Sequence, residues 1–210
     1  MNLERTFKNF FFRTLGKAGW ARTPRQITLD LTHRCNLRCS FCFYQGGEDP
    51  FRGEGKIGAF LSFETLKERV IDRFSTPDYY LTGGEPFLYP QLESLLRHLR
   101  EKGKRVFVST NGTLLTETWA EKIVREGLFE KMDISLHGPE EVHDRVSGVE
   151  GTFQKIREGV LFLHEWKKRL GEKRPQIGLA CTIHSQNIPF LKELAHLARE
   201  WSVDSLTFGN

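Results

Sequence analysis

The sequence predicts an α/β protein built on a parallel sheet of six strands. Three observations carry that expectation. From residue 26 onward, short apolar or alternating runs are separated by longer stretches with helical periodicity. Polar or glycine-bearing turns follow the strand-like runs, as at Gly83-Gly84 and Asn111-Gly112. Several helical patterns stop at a glycine, namely Gly103, Gly127 and Gly171. Repeated strand–helix alternation implies parallel pairing through crossovers, in a barrel or an open sheet.

The elements follow in order. Residues 26–32 alternate Ile27, Leu29 and Leu31 with polar side chains and read as a strand running straight into a cysteine loop. Residues 45–58 hold five glycines and one proline and read as a long flexible loop. Ser62 is the expected N-cap of a helix through Phe63, Leu66, Val70, Ile71 and Phe74, with Thr65 where a capping box would place Glu. Residues 78–81 form a strand ending at Thr82-Gly83-Gly84-Glu85-Pro86, and residues 89–102 a helix. A strand at 105–109 ends at Thr110-Asn111-Gly112, followed by a helix over 116–126. A strand at 131–136 ends at His137-Gly138-Pro139, and a long helix covers 152–170. The remaining segments read as a strand at 176–183, a helix at 188–201 and a strand at 204–208. That sixth strand has no helix after it, so the chain reads as truncated after strand six.

Composition and charge narrow the class. With 210 residues the chain is long enough for a sizeable core without staples. Its net charge of +4 is uneven, because residues 1–25 carry six Lys/Arg against one Glu while the rest is nearly neutral. A general nucleic-acid footprint is therefore not expected. Leu3, Phe7, Phe10, Phe11 and Leu15 recur at helical spacing, so residues 1–25 read as a basic amphipathic arm. The arm either packs on the main domain, lies on an anionic membrane surface, or serves as a transit peptide. No apolar run reaches the roughly 18 residues of a membrane span, and charges interrupt the only candidate for a secretory signal. Three of the four cysteines are clustered, which argues for metal binding in a reducing, cytoplasmic setting rather than a disulfide framework.

The cluster is Cys35, Cys39 and Cys42, spaced C-x₃-C-x₂-C. Thiolates this close hold a soft metal or an iron–sulfur cluster. In a [4Fe–4S] cube they satisfy three irons and leave the fourth open for chemistry. His33 offers an alternative, a three-cysteine, one-histidine zinc site in an interaction module. In parallel sheets the active site sits at the C-terminal strand ends. That rule gathers the cysteine loop, the Gly-Gly-Glu-Pro turn, Asn111 and residues 135–137 around one mouth.

Cys35, Cys39 and Cys42, with aromatic Phe41 before the third cysteine, resemble the signature of the radical S-adenosylmethionine (SAM) superfamily. Gly83-Gly84-Glu85-Pro86 at the end of strand two is similar to the family's SAM-amino-group motif, and Ser109-Thr110-Asn111-Gly112 resembles another recurrent family turn. The resemblance covers about residues 26–208. It implies a partial (β/α)₆ barrel whose three cysteines ligate a [4Fe–4S] cluster, with SAM chelating the open iron. Its implied chemistry is reductive cleavage of SAM to methionine and a 5′-deoxyadenosyl radical that abstracts hydrogen from substrate, with a flavodoxin- or ferredoxin-type electron donor. Phe41, Gly83, Gly84, Glu85, Pro86, Asn111 and Ser135 are the implied cofactor contacts. The glycines would let backbone approach the ligand, and Glu85 would accept from the SAM amino group. Phe43 and Tyr44 would shape the cavity.

Residues 133–153 are similar to the molybdenum-cofactor-biosynthesis and SPASM-type peptide-maturase branch, which implies a peptide or cofactor precursor as substrate. A glycyl-radical-enzyme activase and a radical methyltransferase are the alternative enzyme classes. Two departures stand out: His137 occupies a position where that branch carries Asp, and Ser147 one where it carries Arg. The SAM carboxylate therefore lacks an assured cation, with Arg145 as a substitute two positions earlier. His137 is a candidate proton donor or substrate contact, against a turn-histidine role. Cys181, alone in strand five, reads as a small core residue, with a radical-quenching or auxiliary-cluster role as the alternative.

Overall fold

A computed structural model describes residues 24–42 and 60–209. The basic arm, apart from its last two residues, and the glycine-rich loop with Phe43 and Tyr44 lie outside the described residues. Six parallel strands form one sheet: β1 (Gln26–Asp30), β2 (Asp78–Thr82), β3 (Arg105–Thr110), β4 (Lys131–Ser135), β5 (Gln176–Thr182) and β6 (Ser205–Gly209). Their spatial order is their chain order, with β1 and β6 at the two edges of an unclosed sheet. Each strand feeds the next through helical segments, the unit that parallel pairing requires.

The helices are α1 (Phe63–Leu66), α2 (Leu92–Glu101), α3 (Glu117–Glu126), α4 (Glu140–Ser147), α5 (Thr152–Leu170) and α6 (Leu191–Glu200). Ser62 caps α1 by accepting from the Thr65 backbone N–H at 3.2 Å. Past Leu66 the helix widens into a π-type turn over Lys67–Ile71, closed by Asp72 N–H donating to the Lys67 carbonyl at 2.9 Å. Residues 86–102 do not form one helix from Tyr89. A 3₁₀ turn over Pro86–Leu88 comes first, then Tyr89 is extended, and α2 begins at Leu92. Likewise the segment from residue 188 starts as a 3₁₀ turn before α6. Helix α4 has no counterpart in the sequence expectation. Its eight residues are mostly polar, and its buried residues Val142, His143, Val146 and Ser147 make a poor apolar stripe.

The strand alternation divides the sheet into two faces. On β3, Val106, Val108 and Thr110 are buried while Arg105, Phe107 and Ser109 are half-buried. The apolar set of all strands packs against helices, with Leu95, Leu96 and Leu99 of α2 and Ile123 of α3 wholly buried. Each such leucine contributes roughly 2 kcal/mol of burial. Polar residues of the opposite set, Ser109, Ser135 and Thr182, reach the C-terminal strand ends and face the cavity there. Among the described residues no helix is long and apolar enough to cross a membrane.

Candidate SAM and cluster site

The cavity at the C-terminal strand ends has a volume of about 300 Å³, at the small end of the roughly 300–1,000 Å³ typical of ligand sites. Cys35, Cys39, Cys42, Phe41, Gly83, Gly84, Asn111 and Ser135 all line it. Glu85 and Pro86 lie just behind it, buried. Ser109, Thr110, His137, His143 and Thr182 complete most of the lining.

The cysteine loop is held from both sides by backbone. Sheet pairing continues past β1 and β2: Leu31 N–H donates to the Thr82 carbonyl at 2.9 Å, Gly84 N–H to Thr32 at 2.7 Å, and Glu85 N–H to Arg34 at 2.8 Å. This contact demands glycine. Gly83 has φ +132°, and a Cβ there would stand 2.5 Å from the Thr32 carbonyl oxygen. At Gly84 a Cβ would stand 2.4 Å from the Arg34 carbonyl oxygen. Close approach is thus required first by the chain's own backbone. On the other side, Arg38 N–H donates to the Ser147 carbonyl at 2.9 Å and Ser40 N–H to Val146 at 3.0 Å.

The Glu85 carboxylate is engaged by the chain itself. The side chain is wholly buried. One carboxylate oxygen accepts from the Thr110 hydroxyl at 2.7 Å and the Phe87 N–H at 3.0 Å, and the other from the Asn111 N–H at 2.7 Å. Burial raises its pKa, opposed by those three donors. Glu85 therefore ties the β2 turn to the β3 turn. Asn111 extends the tie to the cysteines: its amide donates to Asn36 Oδ1 at 2.9 Å and towards Cys35 Sγ at 3.7 Å, while its carbonyl accepts from Thr113. Asn36 closes the circuit by donating to the Thr113 hydroxyl at 2.8 Å. Asn36 and Thr113 carry no role in the sequence expectation; they flank the cysteine loop and the β3 turn, where Ser, Thr and Asn side chains bond local groups.

On the β4 and β5 side the cavity wall is aromatic. Phe41 packs edge-on to His137 at 4.8 Å between centroids and tilted against His184 at 5.0 Å. His137 stacks on His143 at 5.6 Å, and its backbone N–H donates to His143 Nδ1 at 3.2 Å, which places the His143 proton on Nε2. Burial depresses the pKa of His137 to about 3, helped by His143 and His184, and that of His143 to about 4. His184 escaped sequence analysis, since one histidine after a strand carries no pattern.

Two sequence candidates sit elsewhere. Ser147 is wholly buried, and its hydroxyl bonds the Asp144 and Val149 carbonyls and Thr152, so it meets no cavity ligand. Arg145 is exposed and lines a separate groove with Glu140, Glu141 and Asp144. Cys181 is buried on β5 in the main core, and Asn187 donates to its sulfur at 3.4 Å.

The donor set fits an iron–sulfur cluster. Three half-buried thiols face one cavity. Burial and the neighbouring Cys42 and Cys35 push the Cys39 thiol up to about 12, a repulsion that a cationic centre relieves. Leu37 N–H and the Asn111 amide point at Cys35 Sγ, the kind of N–H···S contact that ligated thiolates receive. Among the described residues, no group of three or more His, Cys, Asp or Glu is spaced for a single ion. His33 lies 4.0 Å from Asp30 instead.

The family profile of the Radical SAM superfamily matches residues 29–169. The chain belongs to the radical SAM superfamily. The superfamily uses a [4Fe–4S] cluster and SAM, in agreement with the donor set. This radical SAM chain is 32% identical over 184 residues to the Fe-coproporphyrin III synthase of Methanosarcina barkeri, covering 87% of this chain and 43% of that protein. It is 34% identical over 183 residues to the pre-heme d1 synthase of Dinoroseobacter shibae, covering 87% and 42%. In structure it is similar to Streptococcus suis SuiB bound to its precursor peptide SuiA, with a TM-score of 0.69, 17% identity, and coverage of 99% of this chain and 44% of that one. The radical SAM fold is thus shared, and the chain spans less than half the length of these proteins.

Proposed function

We propose that this chain is the SAM-cleaving core of a radical SAM enzyme that matures a cofactor precursor of the tetrapyrrole class. The observation that carries the cleavage reading is the meeting of three cysteine thiols, the Gly83–Gly84 turn and the Asn111 and Ser135 strand ends in one cavity. When bound, the reduced cluster supplies the electron that splits SAM into methionine and a 5′-deoxyadenosyl radical, which takes a hydrogen atom from substrate.

The chain's own residues do the rest. Cys35, Cys39 and Cys42 hold the cluster. With the Glu85 carboxylate engaged by three internal donors, the contact to the SAM amino group falls to backbone carbonyls of the 83–86 turn. Ser109 and Ser135 offer hydroxyls from the strand ends. No Lys or Arg lines the cavity among the described residues, so neutral donors take the larger share of the SAM carboxylate. Phe41 and the apolar wall exclude water from the reacting carbon. The SAM core is assigned to residues 26–210 and residues 1–25 to a basic arm, in a reducing, cytoplasmic setting suited to free cysteines.

The tetrapyrrole reading rests on the names of the two synthases above. A peptide substrate is the second reading, favoured by 26% identity over 193 residues to the subtilosin biosynthesis protein AlbA of Bacillus subtilis. The test is anaerobic reconstitution, iron and sulfide analysis, EPR, and chromatography for 5′-deoxyadenosine. A reconstituted protein that binds only zinc, or forms no 5′-deoxyadenosine with dithionite, overturns the cleavage reading. Porphyrin turnover without peptide turnover supports the first substrate class, and the reverse result supports the second.

A further inference from the structure

We propose that Asn111 tunes the reduction potential of the cluster held by the three cysteines, by donating a side-chain N–H to the Cys35 sulfur. The proposal rests on the SAM-cleaving reading, because cleavage begins when the [4Fe–4S] centre takes up one electron. That step moves no atoms: a one-electron reductant, dithionite in the test below, is oxidised by one electron and the centre is reduced by one. Reduction adds negative charge that spreads onto the sulfurs, so an N–H aimed at a sulfur stabilises the reduced form more than the oxidised one. Asn111 thereby raises the potential and makes the centre easier to reduce.

A backbone group settles which way the Asn111 amide points. Thr113 N–H donates to Asn111 Oδ1 at 3.0 Å, and the Thr113 hydroxyl donates to the same oxygen at 2.7 Å. A backbone N–H can only donate, so the oxygen faces Thr113 and the NH₂ group faces the cysteine loop. The two protons of that group have separate acceptors, Asn36 Oδ1 at 2.9 Å and Cys35 Sγ at 3.7 Å. Asn36 is held in turn by donating to the Thr113 hydroxyl at 2.8 Å. Asn111 is buried and Cys35 half-buried, so the contact acts in a low dielectric.

The Leu37 N–H also reaches the Cys35 sulfur, at 3.4 Å, but it belongs to the cysteine loop and comes with the thiol. Asn111 arrives from the turn after β3. Its backbone N–H donates to the Glu85 carboxylate at 2.7 Å, so one residue engages both the sulfur and the buried carboxylate near it. These neighbours act in opposite directions. Burial and the Glu85 charge resist negative charge on Cys35, whereas the Leu37 and Asn111 donors favour it. The exposed charges around the loop, Arg34, Arg38, Glu141, Arg145 and Glu150, stand in water, where their effect is screened, and every variant compared below shares them.

The experiment uses the full, cluster-loaded chain in two measurements. In the first, the chain carries asparagine labelled with heavy nitrogen in its side chain, and pulsed EPR is recorded on the dithionite-reduced centre. The native spectrum should show coupling to a side-chain nitrogen, kept in Asn36→Ala and lost in Asn111→Ala. In the second, redox titration with viologen mediators reads the ratio of reduced to oxidised centre at a fixed ambient potential. That ratio should fall about fivefold in Asn111→Ala. It should fall further in Asn111→Asp, whose carboxylate still accepts from Thr113 but offers no proton to the sulfur. Asn36→Ala loosens the same turn and leaves the N–H on Cys35, so its ratio should stay at the native value. Equal shifts in Asn111→Ala and Asn36→Ala would show that the turn merely holds the loop, and would overturn the proposal. So would a loaded native chain without nitrogen coupling, a result that stands even where no variant loads. A native chain that loads only zinc overturns the SAM-cleaving reading and the tuning with it, whereas a loaded, SAM-cleaving chain with neither coupling nor shift overturns the tuning alone.

Discussion

The strand ends of β1 to β3 and those of β4 and β5 face one cavity, yet they treat their polar groups differently. At the first set of strand ends the buried polar side chains are paired within the chain: Glu85 joins Thr110, Phe87 and Asn111, and Asn111 joins Asn36, Thr113 and Cys35. In the second half His137 Nδ1, His143 Nε2 and His184 Nε2 are buried without a hydrogen-bond partner among the described residues. Buried polar groups left unpaired cost about 1–3 kcal/mol each. The first half braces the cysteines; the second sets His137 and His143 in the cavity wall.

The largest effect should come from the ligands themselves. Cys35→Ala, Cys39→Ala and Cys42→Ala should each abolish cluster loading and 5′-deoxyadenosine formation, while Cys181→Ala should retain both, as read by iron analysis and chromatography. Cleavage surviving in any of the first three would remove that cysteine from the ligand set. Next, Glu85→Ala orphans three donors at once and should lower the unfolding free energy by about 3 kcal/mol, measured by denaturation without SAM. A loss of SAM affinity with native stability would instead return Glu85 to a direct ligand role. Gly84→Ala should cost about 2 kcal/mol through collision with the Arg34 carbonyl, with a parallel loss of iron retention. Native iron content in that variant would show that the loop tolerates displacement.

At neutral pH the smallest effect belongs to the histidine half. His137 and His143 have folded pKa values of about 3 and about 4 against 6.5 when unfolded. The unfolded chain therefore binds more protons below pH 6.5, and stability falls as pH drops from 6.5 towards 4. The slope approaches about 1.4 kcal/mol per pH unit for each histidine once it is fully protonated in the unfolded chain. His137→Leu should flatten that dependence and leave stability at pH 7.5 within about 1 kcal/mol of native. A thermal-unfolding pH series measures both. An unchanged slope would assign the acid sensitivity elsewhere.

Much of this division was legible in the sequence, and its limits have physical causes. The six strands announced themselves because apolar residues alternate or cluster against helices, and the cysteine spacing and glycine turn named the site. The helix α4 was not legible, because two of its four buried residues are His143 and Ser147 rather than aliphatic side chains. The motif at residues 83–86 gave the position of Glu85 but not its direction, since a carboxylate at a strand end can turn to ligand or to neighbour. The Thr110 and Asn111 donors show the neighbours it meets inside the chain. Ser147 shows the same limit, because a departure from a family pattern says what is lost but not that Asp144 and Thr152 absorb the replacement.

The tie between Asn111 and Cys35 joins positions 76 residues apart in sequence, in a sheet whose strands lie side by side in chain order. During synthesis the cysteines emerge first, but their frame is complete only after the β3 turn has left the ribosome. Iron delivery to a shorter nascent chain would meet a loop without its Glu85 brace or its Asn111 donor. The cysteine loop thus depends for its frame on a turn 76 residues further along the chain.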